Sequence, residues 1–335
     1  MNYMSIESGN SNDLETNDFN SQNPVAARLR GADGIPESVG SDEQQESELP
    51  PIKNSDKVVL YSAKSEIRSP LTMLFGIFAS FWEGRELAWR LFLRNIRGLY
   101  RQTFLGLFWA FLPPIANTAI WIFLREAQIF DTGEMSVNST VYILTGMILW
   151  QAFIEAFQMP LNMLNKNRNM ISKLNFPRES LLLVGIGEVI FDLLIRLLLL
   201  VPAFLIFGVA FHSSMVLAPI AILGLILLGA ALGLLIMPLG SLYQDVGRFI
   251  GMALPFWMIL TPIIYVPFDT FPGVLLNWLN PASPLLLLSR DWLLLGGAEH
   301  LTAGVIFGAA TLPIVLIGLI VFRISIPVLV ERMNA

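Results

Sequence analysis

The strongest constraint in this sequence is a series of long apolar stretches that are almost free of charged residues. Six can be drawn, at about 104–124, 140–162, 180–208, 215–240, 249–267 and 302–322. A helix of about 20 apolar residues spans the hydrocarbon core of a bilayer. The overall composition agrees, because 54% of the residues are hydrophobic and only 14% are charged. The pattern therefore predicts an all-α membrane protein with six transmembrane helices.

The region before the first predicted span is amphipathic. Residues 71–82 are apolar but too short to span a bilayer, and four arginines then form one stripe at helical spacing: Arg90, Arg94, Arg97 and Arg101. A helix with a basic stripe and a broad apolar face is typical of the membrane interface. We therefore predict an N-terminal amphipathic interface helix. A soluble amphipathic helix packed on a partner is the alternative.

The region between the fifth and sixth spans is apolar but interrupted by proline. Pro272, Pro281 and Pro284 divide it into pieces that are too short to span. We predict two short re-entrant helices here, at about 272–279 and 284–294.

Charge is distributed unevenly along the chain. Residues 1–56 carry eleven acidic and three basic side chains and show no apolar periodicity. We predict that residues 1–70 are a disordered, acidic cytoplasmic tail and that residues 71–335 form the transmembrane domain. In the predicted loops, twelve lysines and arginines fall on one side and only Arg125 and Arg290 on the other. The positive-inside rule then places both termini in the cytoplasm.

Signatures of catalysis are missing from the sequence. The chain has no cysteine and two histidines, and no glycine-rich loop ends in the lysine that would hold ATP phosphates. Nor does it carry the concentrated basic face of a nucleic-acid-binding protein. We expect no enzyme, no metal site and no cofactor in this chain. Energy for uphill transport would have to come from a partner subunit or an ion gradient.

The third predicted span contains ionisable residues on one helical face: Glu188, Asp192 and Arg196. Charges inside a membrane face the protein interior or a water-filled path. Two interpretations stay open, a self-neutralising Asp192–Arg196 pair or the lining of a hydrophilic conduit.

Aromatic residues of the predicted spans and of the re-entrant region have two interpretations as well. They belong either to the aromatic belt at the lipid headgroups or to apolar ring faces that stack on sugars along a conduit. The candidates are Trp109, Trp121, Tyr142, Trp257, Tyr265 and Trp278.

The loop between the second and third spans is basic and polar. A short exposed helix held between two spanning helices could act as a lever for a partner, and a positive-inside anchor is the alternative. The candidate residues for contact with that partner are Asn165, Lys166, Asn167, Arg168, Lys173, Phe176, Pro177, Arg178 and Glu179.

Several short motifs, in this order, resemble those of ABC-2 type permeases, most closely the branch that exports O-antigen and other polysaccharides. The matching segments are residues 90–96, 100–103, 105–106, 109–110, 169–179, 243–246, 261–265 and 279–281. The resemblance covers about residues 80–335.

This resemblance implies a homodimer in the bacterial inner membrane that binds two copies of a separate ATPase subunit. ATP and magnesium would belong to that partner. The resemblance also implies an interface helix, a coupling helix in the loop after the second span, and two outer gate helices. It implies a conduit for a lipid-linked glycan, whose cytoplasmic entrance we assign to Arg90, Arg94, Arg97, Tyr100 and Arg101. Rival hypotheses are an ABC-2 exporter of a drug or lipid, an ion-coupled transporter and a membrane scaffold.

Overall fold

The computed structural model describes residues 70–101, 108–129, 133, 135–174, 176–268, 270–271 and 273–334. Within these ranges the chain is helical and contains no strand, which confirms the all-α prediction. The α-helices are α1 (Pro70–Arg101), α2 (Phe108–Glu126), α3 (Ser139–Lys166), α4 (Arg168–Lys173), α5 (Ser180–Leu197), α6 (Leu200–Phe207), α7 (Ala218–Leu242), α8 (Gln244–Leu260), α9 (Gly273–Leu279), α10 (Ala282–Arg290) and α11 (Leu301–Asn334). A 3-10 helix at Ser213–Val216 precedes α7, and a π-helical turn at Asp291–Leu295 follows α10. The predicted tail, apart from its last residue, lies outside the described residues.

Four helical stretches in the described part of the chain are long and apolar enough to cross a membrane. They are Ser139–Lys166, Ser180–Phe207, Ala218–Leu242 and Leu301–Arg332. They correspond to the second, third, fourth and sixth predicted spans. The first predicted span begins in residues 102–107, outside the described residues, and its described part is α2.

The core of the protein lies where α3 and α7 pack against each other. A Cβ atom on Gly229 would lie 2.7 Å from the Phe153 carbonyl oxygen, and one on Gly233 only 2.1 Å from that of Phe157. Glycine at these two positions therefore lets the helix backbones touch. The Gly229/Gly233 pair packs inside one chain.

The fifth predicted span, 249–267, differs from the structure. Helix α8 ends at Leu260, and Thr261 adopts an extended conformation (φ −97°, ψ 134°). The reason is Pro262, because a residue that precedes proline is disfavoured in the α region. The chain then turns through residues 261–265 instead of continuing as a helix.

The third predicted span is divided between α5 and α6 by a turn at Leu198 and Leu199. Their N–H groups bond three residues back, to Ile195 and Arg196. Pro202 lacks the N–H that would reach the Leu198 carbonyl four residues earlier, so the tighter turn falls where the α-helical ladder is interrupted.

Two short helices, α9 and α10, occupy the proline-rich region between α8 and α11, close to the predicted bounds. Helix α1 differs from expectation in one respect. The apolar segment 71–82 and the amphipathic segment after it form a single helix of 32 residues.

Candidate functional site

The coupling segment, defined here as residues 165–179, joins α3 to α5 and contains the short helix α4. Among its described side chains, the exposed ones are Asn165, Lys166, Arg168, Asn169, Lys173 and Leu174. Ile171 is 2% exposed and anchors α4 to the protein, so the helix presents its polar side outward. A cationic surface of this kind suits an acidic partner.

Other predicted members of this segment point inward. Asn167 is 7% exposed, and its Nδ2 donates to the Met163 carbonyl oxygen at 2.9 Å, which closes the end of α3. Phe176, Pro177 and Arg178 are half-buried, and Glu179 is buried. Burial lowers the pKa of the Arg178 guanidinium, and the neighbouring Glu179 partly offsets this by raising it. These residues shape the segment more than they present a surface.

Both ends of the coupling segment form ion pairs. The Lys166 Nζ lies 3.7 Å from Glu188 Oε1 on α5, and the Arg323 Nη1 of α11 lies 3.5 Å from Glu179 Oε1. The Ser180 hydroxyl donates to the Pro177 carbonyl oxygen at 2.6 Å and secures the first turn of α5. The segment is therefore fixed to two neighbouring helices, and α4 lies between the fixed points.

The predicted basic stripe lies on the exposed side of α1. Arg90, Arg94 and Arg97 are exposed, and Arg90 pairs with Glu86 at 2.5 Å in contact with solvent. The side chains of Tyr100 and Arg101, which we also assigned to the entrance, lie outside the described residues. The opposite face of α1 buries apolar residues, including Leu91.

Arg196, one of the ionisable residues of α5, pairs with a carboxylate of another helix. The Arg196 guanidinium makes a two-pronged salt bridge with Glu155 of α3, with Nη1–Oε2 and Nη2–Oε1 distances of 2.7 and 2.5 Å. The bidentate partner of Arg196 is therefore Glu155 of the neighbouring helix and not Asp192 of its own helix. Arg196 turns towards α3 because α3 packs directly on α5 and offers a carboxylate in bidentate geometry.

The aromatic candidates for the conduit divide into two groups. Tyr142 and Tyr265 are buried, and Trp257 packs edge-on against Phe153 and donates its Nε1 proton to Asn280 Oδ1 at 2.9 Å. Trp109 and Trp278 are about half exposed, and Trp121 is partly buried against the core. The structure thus brings Tyr142, Tyr265, Trp257 and Trp121 into or against the core of one chain. It leaves Trp109 and Trp278 on the surface.

Arg290 was expected in an outer loop and is instead buried, with 1% exposure. Its guanidinium lies 3.9 Å from the centre of the Tyr142 ring, and Nη2 donates to the Ile263 carbonyl oxygen at 3.1 Å. A Cβ on Gly146 would lie 2.5 Å from Nη2, so glycine there makes room for the cation. This arginine joins α3, α10 and the turn after α8.

Asn280 is a structural residue whose role sequence reasoning missed. Its Oδ1 also accepts from the Ala282 N–H at 3.1 Å, and its Nδ2 donates to Thr261 Oγ1 at 2.7 Å. Asn280 thereby connects the end of α8 to the start of α10. The signal was present, because Asn280 and Thr261 both lie in motifs that resemble the family.

Comparison with known proteins places these features in a family. The chain matches the ABC-2 type transporter family over residues 86–290 and belongs to it. It is therefore a permease, the transport component of an ABC transporter, and a multi-pass membrane protein.

The chain is also similar to two curated relatives. The O-antigen export system permease protein RfbA of Klebsiella pneumoniae is 22% identical over 234 residues, which cover 69% of this chain and 88% of the relative. The protein of the same name from Myxococcus xanthus is 22% identical over 188 residues, covering 55% of this chain and 70% of the relative.

Proposed function

We propose that this protein is the membrane-spanning subunit of an ATP-driven exporter that moves a lipid-linked polysaccharide of O-antigen type across the bacterial inner membrane. The observation that carries the proposal is the similarity to O-antigen export permeases along more than half of the chain.

In the proposed assembly, two copies of this chain bind two copies of a separate ATPase subunit, which holds ATP and magnesium. The exposed cations of α4, Arg168 and Lys173, support docking of the ATPase at this helix. Because α4 lies between α3 and α5, a push on α4 would tilt both helices and open the conduit.

The proposed orientation has six spans, with both termini and the coupling segment in the cytoplasm. The charge asymmetry between the two sets of predicted loops supports this orientation. Because Arg290 is buried, Arg125 is the one lysine or arginine left in the outer set. The short helices α9 and α10 would be the re-entrant gate helices on the outer side.

Cargo would enter at α1. Exposed Arg90, Arg94 and Arg97 could bind the pyrophosphate of a lipid-linked glycan by charge-assisted hydrogen bonds. Along the conduit, the exposed rings of Trp109 and Trp278 are the ones able to stack on sugars directly.

Deletion of the gene in its native host tests this function. We expect loss of the surface polysaccharide and accumulation of its lipid-linked form on the cytoplasmic side. Complementation with wild type or Glu331→Lys, an exposed site near the end of α11, should restore export, whereas Arg168→Glu should not. Unchanged surface polysaccharide after deletion would contradict the proposal and favour a drug or lipid as cargo.

A further inference from the structure

Three helices meet at the carboxylate of Glu188. Its Oε1 accepts a hydrogen bond from Asn95 Nδ2 of α1 at 2.7 Å and lies 3.7 Å from Lys166 Nζ. Lys166 is the last residue of α3, two positions before α4 begins. A single oxygen atom of α5 therefore connects α1 to the point where the coupling segment starts.

Close packing along α1 and α5 supports this connection. A Cβ on Gly84 would lie 2.9 Å from the Ser180 Cβ, and one on Gly187 would lie 3.2 Å from Phe92 Cδ2. The two helices thus touch without room for another side chain, both at the start of α5 and next to Glu188. Glu188 adds the polar bond at the end of this contact.

The far end of the coupling segment is also connected to α1. Glu179 pairs with Arg323, and a Cβ on Gly76 of α1 would lie 3.1 Å from the Arg323 Nη1. Helix α1 consequently lies against the groups that fix both ends of the segment.

We propose that Glu188 is a positioning residue that holds α1 to the coupling segment, so that α1 and α4 move as one body during transport. The transport role rests on the proposed function, because it requires a partner that acts on α4. The mechanical link between α1 and α4 does not depend on it. The consequence is that a force applied at α4 reaches the basic stripe of α1, where cargo is proposed to enter.

The link can be measured directly, because the chain has no cysteine of its own. Spin labels at Gly98→Cys on α1 and Leu174→Cys at the end of α4 would report the distance between the two helices by pulsed electron paramagnetic resonance. Both sites are exposed, and a side chain at Gly98 would meet nothing within 4 Å. The labelled protein is placed in lipid nanodiscs and diluted with unlabelled protein, so that distances within one chain dominate.

Charge reversal then separates the link from the rest of the fold. Lys166→Glu places two carboxylates at the junction and Glu188→Lys places two ammonium groups there, and each should broaden the distance distribution or add a longer distance. The double reversal restores opposite charges, and Asn95 can then accept a hydrogen bond instead of donating one. The double reversal should restore a distance distribution as narrow as that of wild type. The exposed control Glu331→Lys should keep the wild-type distribution.

Melting temperatures of the same variants exclude a purely structural effect, which would lower stability without changing the distance. Lys166→Glu with a distribution as narrow as wild type would overturn the proposal, and so would a double reversal no better than its parents. In membranes that contain the ATPase, ATP binding should leave the wild-type distance unchanged, and a change would also overturn the proposal. If no ATPase binds this protein, the proposed function is refuted. The distances measured in nanodiscs would still test the link between α1 and α4, because they need no ATPase.

Discussion

Replacement of Arg196 by methionine tests the salt bridge between Arg196 of α5 and Glu155 of α3. Arg196 is 9% and Glu155 24% exposed at the side chain, and the two form paired hydrogen bonds. Removing one partner of a buried pair costs about 3–5 kcal/mol. Because Glu155 keeps some exposure, we expect Arg196→Met to lower the free energy of unfolding by about 3 kcal/mol, near the lower end of that range.

The loss of unfolding free energy should be larger for replacement of Arg196 than for replacement of Glu155. Arg196→Met leaves the carboxylate of Glu155 without its cation. Glu155→Met leaves Arg196 with Asp192 one turn away as a replacement partner, so it should cost less. The double variant removes both members of the pair and should recover much of the loss.

Titration of the purified protein with a denaturing detergent measures these free energies, with Arg248→Met as the matched control. Arg248 pairs with Asp245 at 3.3 Å, but the two side chains are 75% and 92% exposed. Its replacement should change the free energy of unfolding by no more than about 0.5 kcal/mol. A loss below about 1 kcal/mol for Arg196→Met would refute the reasoning, because it would show that the pair is solvated.

Three further predictions concern helix packing, the hydrogen bonds of Asn280 and the entry of cargo. Gly233→Ala should lower the melting temperature strongly, since the added carbon would lie 2.1 Å from a backbone oxygen, whereas Gly247→Ala meets nothing within 4 Å and should raise it slightly. Asn280→Leu should cost about 2–3 kcal/mol of unfolding free energy, because buried partners of its amide lose their hydrogen bonds, and the indole fluorescence of Trp257 should shift. Arg94→Glu should reduce polysaccharide export while the purified complex keeps its subunit composition, and undiminished surface polysaccharide would count against a role in entry.

The local periodicity of the sequence predicted most of the helices. The amphipathic pattern around Arg90 predicted the exposed basic stripe, and prolines marked the region of α9 and α10. These features depend on neighbours within a few residues, which a sequence displays directly.

The partners of charged residues could not be predicted in the same way. Spacing along α5 made Asp192 the obvious partner of Arg196, but the packing of α3 on α5 brings Glu155 closer. Arg290 looked like a loop residue, and its burial depends on the ring of Tyr142 and the space beside Gly146 in another helix. Contacts between helices of this kind follow from tertiary packing, which the local pattern does not contain.

The intact mass of the complex, extracted gently from its native membrane, tests the central claim most directly. An ABC-2 permease that works as proposed should appear as two copies of this chain with two copies of a soluble ATPase subunit. A permease monomer or dimer that never carries an ATPase would contradict the account and favour an ion-coupled transporter or a membrane scaffold.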